Sequence, residues 1–303
     1  MTNVTCELLF GKAKPSTARP ISTFLVPNKY KLGIQFTPLG TSMLNSIQDG
    51  ARALLKDTAQ ALQNFPDLQY IVIGGWCPVL RNRTALGHPG TLDVDLLFRE
   101  SYISGSLNDV INQFLNFGFI PSAKHPFQLL RVQNIRGKDF VFNIDLLHPK
   151  MQADKATSGM FVDHLDLDVP LTNAKAEFKK MKSVVLPNSE ILFLKGLHSQ
   201  ESIEGIPFNL VTFDGMFATK MDSCQKQKRE RDAFDIYLGF LGNDINVSSV
   251  KIIAEDDSRI ADSLAKFLKY LQSDGAVFDG NVAQFASVSG EPPSKLILRQ
   301  LGA

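Results

Sequence analysis

The stretch YIVIGGWCPVLRNRTALGHPGTLDVDLLF, Tyr70–Phe98, decides how the rest of the chain is read. It opens as a short hydrophobic strand, YIVI, and breaks at Gly74-Gly75. It closes on a second hydrophobic run, TLDVDLLF, that carries Asp93 and Asp95. Residues two apart in a strand share a face, so both carboxylates point one way while Leu92, Val94 and Leu96 point the other. Two adjacent bare carboxylates repel, and one would hold its proton unless a cation lies between them. Hard oxygen ligands suit Mg²⁺, which commonly takes one or two carboxylates and completes its shell with substrate phosphates. Glycine at 74 and 75 lets the backbone come close to a phosphate.

Working outward, the segment TSMLNSIQDGARALLKDTAQALQNF before this stretch spaces Met43, Leu44, Ile47, Ala51, Leu54, Leu55, Ala59 and Leu62 as one helical face. Thr41 or Ser42 is its expected N-cap, and Gly50 its weak point. After the stretch, LNDVINQFLNFGF reads as an amphipathic helix ending near Gly118. FQLLRVQNI and DFVFNIDLLH read as two strands joined by the turn RGKD. The second of these holds Asp145 between Ile144 and Leu146. A carboxylate in such a run is costly unless paired or metal-bound, which makes Asp145 a third candidate ligand. Three carboxylates on neighbouring strands can hold two Mg²⁺ ions, the layout for in-line attack on a nucleoside triphosphate (NTP).

FVDHLDLDVPL and KKMKSVVLP are expected to hold short strands. From Pro187 the pattern turns mostly helical: NSEILFLKGLHSQ, then FDGMFATKMDSCQKQKRERDAFDIYLGFL, then SRIADSLAKFLKYLQ. The expected class is α+β. Residues 1–40 form an N-terminal arm with one short strand near Ile21–Val26, residues 41–185 a mixed-sheet core with flanking helices, and residues 186–303 a mainly helical C-terminal domain. The tail, residues 273–303, is Gly, Ser and Pro rich around one apolar patch, LILRQL.

Composition narrows the function classes. The 303 residues carry a net charge of +1, so no global basic field marks a nucleic-acid binder, although one basic groove would be enough. Three cysteines, Cys6, Cys77 and Cys224, lie far apart without a CxxC pair, as expected of free thiols in a reducing cytoplasm. No secretory leader is expected from MTNVTCELLFGKAKPSTARP, and no apolar run approaches the roughly 20 residues that span a bilayer. Arg81, Arg83 and His88 lie between the glycines and the aspartates, where they either contact phosphate or form an ordinary loop. His125, His148, His164 and His198 have no metal-ligand spacing, although His148 follows Asp145 closely.

The order of VIGGW, GTLDVDLL and FNIDLL resembles the nucleotidyltransferase superfamily of DNA polymerase β type. Within it, the pattern most resembles the bacterial AbiEii-type toxin nucleotidyltransferases. The resemblance is strong over residues 70–98 and 140–147 and moderate over 186–238. It implies that Gly74, Gly75 and Thr91 contact the nucleotide, and that Asp93 and Asp95 bind both ions. Asp145 would be the third carboxylate, helping to activate the attacking hydroxyl. A downstream helical motif of that group resembles KMDSCQKQKRERDAFDIYL, which implies that Lys220 reaches the triphosphate with Arg231, Asp232 and Asp235 completing the motif. Lys195 is an equal candidate for the motif lysine. Trp76 replaces the serine of many members and either packs in the core or stacks on a base. The loop between Gly75 and Asp93 is longer than usual.

The implied activity moves an NMP from an NTP to an acceptor hydroxyl with two Mg²⁺ ions, or Mn²⁺ in their place. The implied acceptor is tRNA or a protein, in a toxin-like role with an antitoxin partner and no membrane. An antibiotic-modifying nucleotidyltransferase and a non-catalytic NTP-binding protein share the same core.

Overall fold

The structure is a computed structural model that describes residues 44–99, 106–149, 162–168 and 180–303. The expected arm, with its strand near Ile21–Val26, lies outside the described residues, as do Cys6, Thr41 and Ser42.

The first helix, α1 (Ile47–Leu62), begins later than its apolar spacing predicts. Its N-cap is Ser46, whose hydroxyl accepts from the Asp49 N–H at 3.1 Å. Gly50 faces the sheet so closely that a Cβ there would stand 2.5 Å from Phe142 Cζ, so a missing side chain lets the helix approach. Strand β1 (Tyr70–Ile73) follows, then the short α2 (Trp76–Arg81) and β2 (Asp93–Phe98). Next come α3 (Ser106–Asn116), β3 (Ile120–Pro121), β4 (Gln128–Ile135) and β5 (Lys138–Pro149). The β4–β5 hairpin turns at Arg136 and Gly137, both with positive φ, as RGKD predicts. Strands β6 (Val162–Asp168) and β7 (Lys180–Leu186) pair antiparallel.

Two strands beyond residue 186 are not anticipated by the sequence reading. After the short α4 (Glu190–Leu194), the chain forms β8 (His198–Ile203) and β9 (Ile206–Val211). The hairpin turns at Glu204-Gly205, both at positive φ, and β9 lies parallel to β1. The expected long helix over residues 213–241 is two helices, α5 (Phe213–Lys220) and α6 (Glu230–Leu241). Then come α7 (Val247–Asp256), α8 (Ser258–Ala283) and α9 (Pro293–Leu301), which carry helix through most of the tail.

Among the described residues the sheet has nine strands, ordered β3-β4-β5-β2-β1-β9-β8, with β7 paired to β5 and β6 to β7. It is mixed: β2 runs parallel to β5 and antiparallel to β1. Helices flank it. Val72, Val94, Leu96, Ile144 and Leu146 pack with Leu54, Leu55 and Phe114 from α1 and α3. Their strand neighbours Ile71, Ile73, Leu97 and Leu147 belong to a second core with Phe217, Phe234, Phe240, Phe267 and Phe278. Period-two alternation thus gives each sheet face its own hydrophobic layer. The odd-numbered side of β2 faces the C-terminal helices, and Asp93 and Asp95 stand on that side. Among the described residues no helix is long and apolar enough to cross a membrane.

Candidate active site

Parallel pairing of β2 with β5 sets Asp95 opposite Asp145 and Asp93 opposite Asn143. Four oxygen-bearing side chains therefore occupy two adjacent rungs on one face of the sheet. Antiparallel pairing with β1 sets Ile73 opposite Asp95, so the chain reaches Gly74 beside that carboxylate. Gly74 has φ +75°, and a Cβ there would stand 2.4 Å from Asp95 Oδ2. A Cβ on Gly75 would stand 3.0 Å from Thr91 and 3.6 Å from an Arg231 guanidinium nitrogen. The two glycines thus keep free the space between β2 and α6.

Electrostatics mark the cluster. Burial first, then the charges of Asp93 and Asp145, push Asp95 well above the usual carboxylate range, while Lys220 and Arg231 pull the other way. Burial and the Asp93 charge push Asp145 up to about 6, although side-chain hydrogen bonds from Gln128 and Asn143 oppose this. These acids strain against one another without a cation, which is the environment a divalent ion relieves. Among the described residues no group of three or more acid, histidine or cysteine side chains is placed to hold a metal ion.

Thr91 is buried, and its hydroxyl donates to Asp93 Oδ1 at 2.7 Å, so it orients that carboxylate. Trp76 takes the core position, the first of its two expected places. Only 2% exposed, its ring lies in the core with α1 and leaves no face for a base. Its indole N–H donates to the Asp93 carbonyl at 2.8 Å and pins the start of β2.

The two candidate lysines have different surroundings. Lys195 caps α4 at the surface and pairs with Asp256 of α7 at 2.6 Å. Exposed helix ends hold it there in an ion pair of its own. Lys220 lies buried at the end of α5, close enough for its charge to act on Asp95. Its ammonium is held by Asp232 at 2.7 Å and Asp235 at 2.5 Å. Burial would lower the lysine's pKa, but the two carboxylates overcome it and raise it. Asp232 spends its other oxygen on the Ser223 hydroxyl at 2.7 Å. So Asp232 and Lys220 form a compensated buried cluster. Arg231 is only partly buried, and its guanidinium donates to the Gly90 carbonyl at 3.4 Å. It lies 3.6 Å from where a Gly75 Cβ would stand, and its charge acts on Asp95 as that of Lys220 does.

His88 joins the two halves of this arrangement. Its Nδ1 accepts the Gly90 N–H at 3.0 Å, which puts the ring proton on Nε2, 2.9 Å from Asp235 Oδ1. Burial would raise Asp235, but the Lys220 charge and the His88 hydrogen bond hold it down at about 2. A chain of polar contacts therefore runs from α5 through α6 to the loop that carries Thr91. Arg81 turns away, bonding the Val211 carbonyl at 3.1 Å and Glu201 at 2.9 Å, and fastens α2 to the β8–β9 hairpin. His148 is buried against the Ser183 hydroxyl at 2.6 Å. It lies three residues beyond Asp145, on the opposite face of β5.

Sequence reasoning missed Asn143, Ser223 and the role of His88. For Asn143 a signal was present, since an amide between Phe142 and Ile144 is as anomalous in a buried strand as Asp145. Cys77 and Cys224 are buried free thiols, and burial pushes both up.

No family model matches the chain, and no curated protein does. Among solved structures it is similar to an antigenic nucleotidyltransferase-like protein from Paracoccidioides brasiliensis. That likeness has 13% identity and a TM-score of 0.37, and covers 82% of this chain and 98% of the other. At that score the case rests on the residues themselves.

Proposed function

We propose that the chain is a Mg²⁺-dependent nucleotidyltransferase. The observation that carries the reading is the parallel register setting Asp95 against Asp145, with Asp93 one rung away and Gly74 against Asp95. In this reading Asp93, Asp95 and Asp145 hold two Mg²⁺ ions, or Mn²⁺ in their place. When bound, such a pair supplies charge neutralisation at the attacking and leaving oxygens. Gly74 and Gly75 leave room for the triphosphate, and the Arg231 guanidinium offsets its charge. Asp145 faces the acceptor hydroxyl and takes part in releasing its proton. The acceptor oxygen forms a bond to the α-phosphorus, the bond from that phosphorus to the bridging oxygen breaks, and pyrophosphate leaves.

The resemblance of VIGGW and GTLDVDLL to the AbiEii-type toxins favours tRNA or a protein hydroxyl as acceptor, with an antitoxin as partner and a cytoplasmic setting. The test is label transfer. Protein, Mg²⁺ and each α-labelled NTP are incubated in turn with total tRNA, cell protein or aminoglycosides. Label is expected in tRNA or protein, and none with EDTA or in the Asp93→Ala/Asp95→Ala variant. Label in an aminoglycoside would redirect the acceptor to a drug. NTP binding with no transfer to any acceptor would argue for a non-catalytic protein.

A further inference from the structure

Asn143 lies in β5 between Phe142 and Ile144 and is only 1% exposed. It shares a face with Asp145 and stands opposite Asp93 in the parallel register. Its amide nitrogen donates to Asp145 Oδ1 at 2.7 Å. That bond fixes the orientation of the amide, because a carboxylate accepts and only the NH₂ side donates. The amide oxygen is thereby turned away from its one partner. It is buried and has no hydrogen-bond donor in the protein.

Its surroundings explain why none is found. Asp93 and Asp145 offer acceptor oxygens, and the Thr91 hydroxyl has already given its proton to Asp93. The nearby Lys220 ammonium is held by Asp232 and Asp235. The donors on this part of the sheet, Thr91, Gln128 and the Asn143 nitrogen itself, are spent on Asp93 and Asp145, and the Asn143 oxygen receives none. A buried, unsatisfied carbonyl is costly, and a native fold keeps one where a donor arrives from outside the chain.

We infer that Asn143 is an outer ligand of the site: its nitrogen aims Asp145, and its oxygen accepts a hydrogen bond from a water molecule on a divalent cation held by Asp93 and Asp145. The inference rests on the metal-dependent reading above and adds a residue to it. A cation-bound water is a strong donor, and it supplies what the carboxylates and Thr91 lack. Partners of this kind hold the ligating carboxylate in place, and losing them commonly weakens metal affinity by about 10–100-fold.

The experiment is Mn²⁺ binding followed by electron paramagnetic resonance, with no nucleotide, on wild type, Asn143→Leu, Asn143→Asp and Asp93→Asn. Wild type is expected to bind Mn²⁺ and Asp93→Asn to bind it weakly. Asn143→Leu loses both the aiming nitrogen and the accepting oxygen, and its affinity is expected to fall at least tenfold. Asn143→Asp restores the oxygen acceptor and is expected to recover affinity relative to Asn143→Leu. Thermal unfolding without metal runs beside it, to show that each variant is folded at the temperature of the binding measurement. Wild type and Asn143→Leu binding Mn²⁺ alike, with Asp93→Asn impaired, would overturn the inference and leave the metal reading standing. Absence of Mn²⁺ binding in wild type would overturn the metal reading itself and the inference with it. Should Asn143→Leu fail to fold, Asn143→Asp binding no Mn²⁺ would also overturn the inference.

Discussion

Asp95 of β2 and Asp145 of β5 stand on the same rung of a parallel strand pair, and each holds its proton more tightly than a free aspartate. They come from segments fifty residues apart, and only the sheet register makes them neighbours. That register also decides which other residues matter, because the next rung pairs Asp93 with Asn143.

The strained acids make stability depend on pH in two opposed ways. Asp145 titrates at about 6 in the folded chain against an ordinary 3.8, so between those values the folded state holds more protons than the unfolded. Stability in metal-free buffer should therefore rise as pH falls from 7 toward 4, and Asp95 adds in the same direction. Asp235 is the reverse case, held at about 2, so its contribution is present above 3.8 and lost as pH falls toward 2. Thermal melts in EDTA should give a higher midpoint at pH 5 than at pH 7. A midpoint that falls from pH 7 to pH 5 would mean that burial and the neighbouring charges do not hold protons on Asp95 and Asp145.

Gly74→Ala should be costly. The left-handed backbone at φ +75° disfavours a side chain by roughly 1–2 kcal/mol, and the new methyl meets Asp95 Oδ2 at 2.4 Å. Urea denaturation should show a lower midpoint, with nucleotide transfer lost more completely than stability. An unchanged midpoint would mean that the turn is looser than drawn.

The two motif lysines should separate cleanly. Lys220→Met leaves Asp232 and Asp235 buried without their cation, a change that typically costs about 3–5 kcal/mol. Lys195→Met removes an exposed pair with Asp256, worth about 0–1 kcal/mol. Guanidinium melts would show the difference, and label transfer should survive in Lys195→Met alone. Equal losses in the two variants would contradict the assignment of Lys220 to the buried cluster.

Gly50→Ala sets helix propensity against packing. Alanine is favoured over glycine in a helix by about 0.8–1 kcal/mol. Here the added Cβ would meet the buried Phe142 ring at 2.5 Å and Ile135 at 2.9 Å, and overpacking of this kind costs about 1–3 kcal/mol. The variant is expected to be less stable in urea than wild type, and a gain would show that α1 can retreat from the sheet.

Much of this was legible in the sequence where local pattern and tertiary demand agree. TLDVDLLF alternates because one face packs on α1 and α3 while the other bears the acids. RGKD turns because Arg136 and Gly137 accept positive φ. The β8–β9 hairpin was not legible. HSQESI is polar along an edge strand, and its turn uses Glu204-Gly205 in place of the more familiar Asn-Gly. The break between α5 and α6 was hidden because charged residues suit helix and loop alike. The surroundings of Lys195 and Lys220, and the burial of Trp76, depend on tertiary contacts that spacing does not encode.

The most direct test of the central claim compares wild type with Asp145→Asn, measuring nucleotide binding and α-label transfer on the same preparations. Asp145→Asn should bind Mg²⁺-NTP within a few-fold of wild type, because Asp93, Asp95 and the glycines remain, yet transfer label at least a hundredfold more slowly. Transfer at the wild-type rate by Asp145→Asn would contradict the account, since the carboxylate facing Asp95 across the sheet would then have no part in the chemistry.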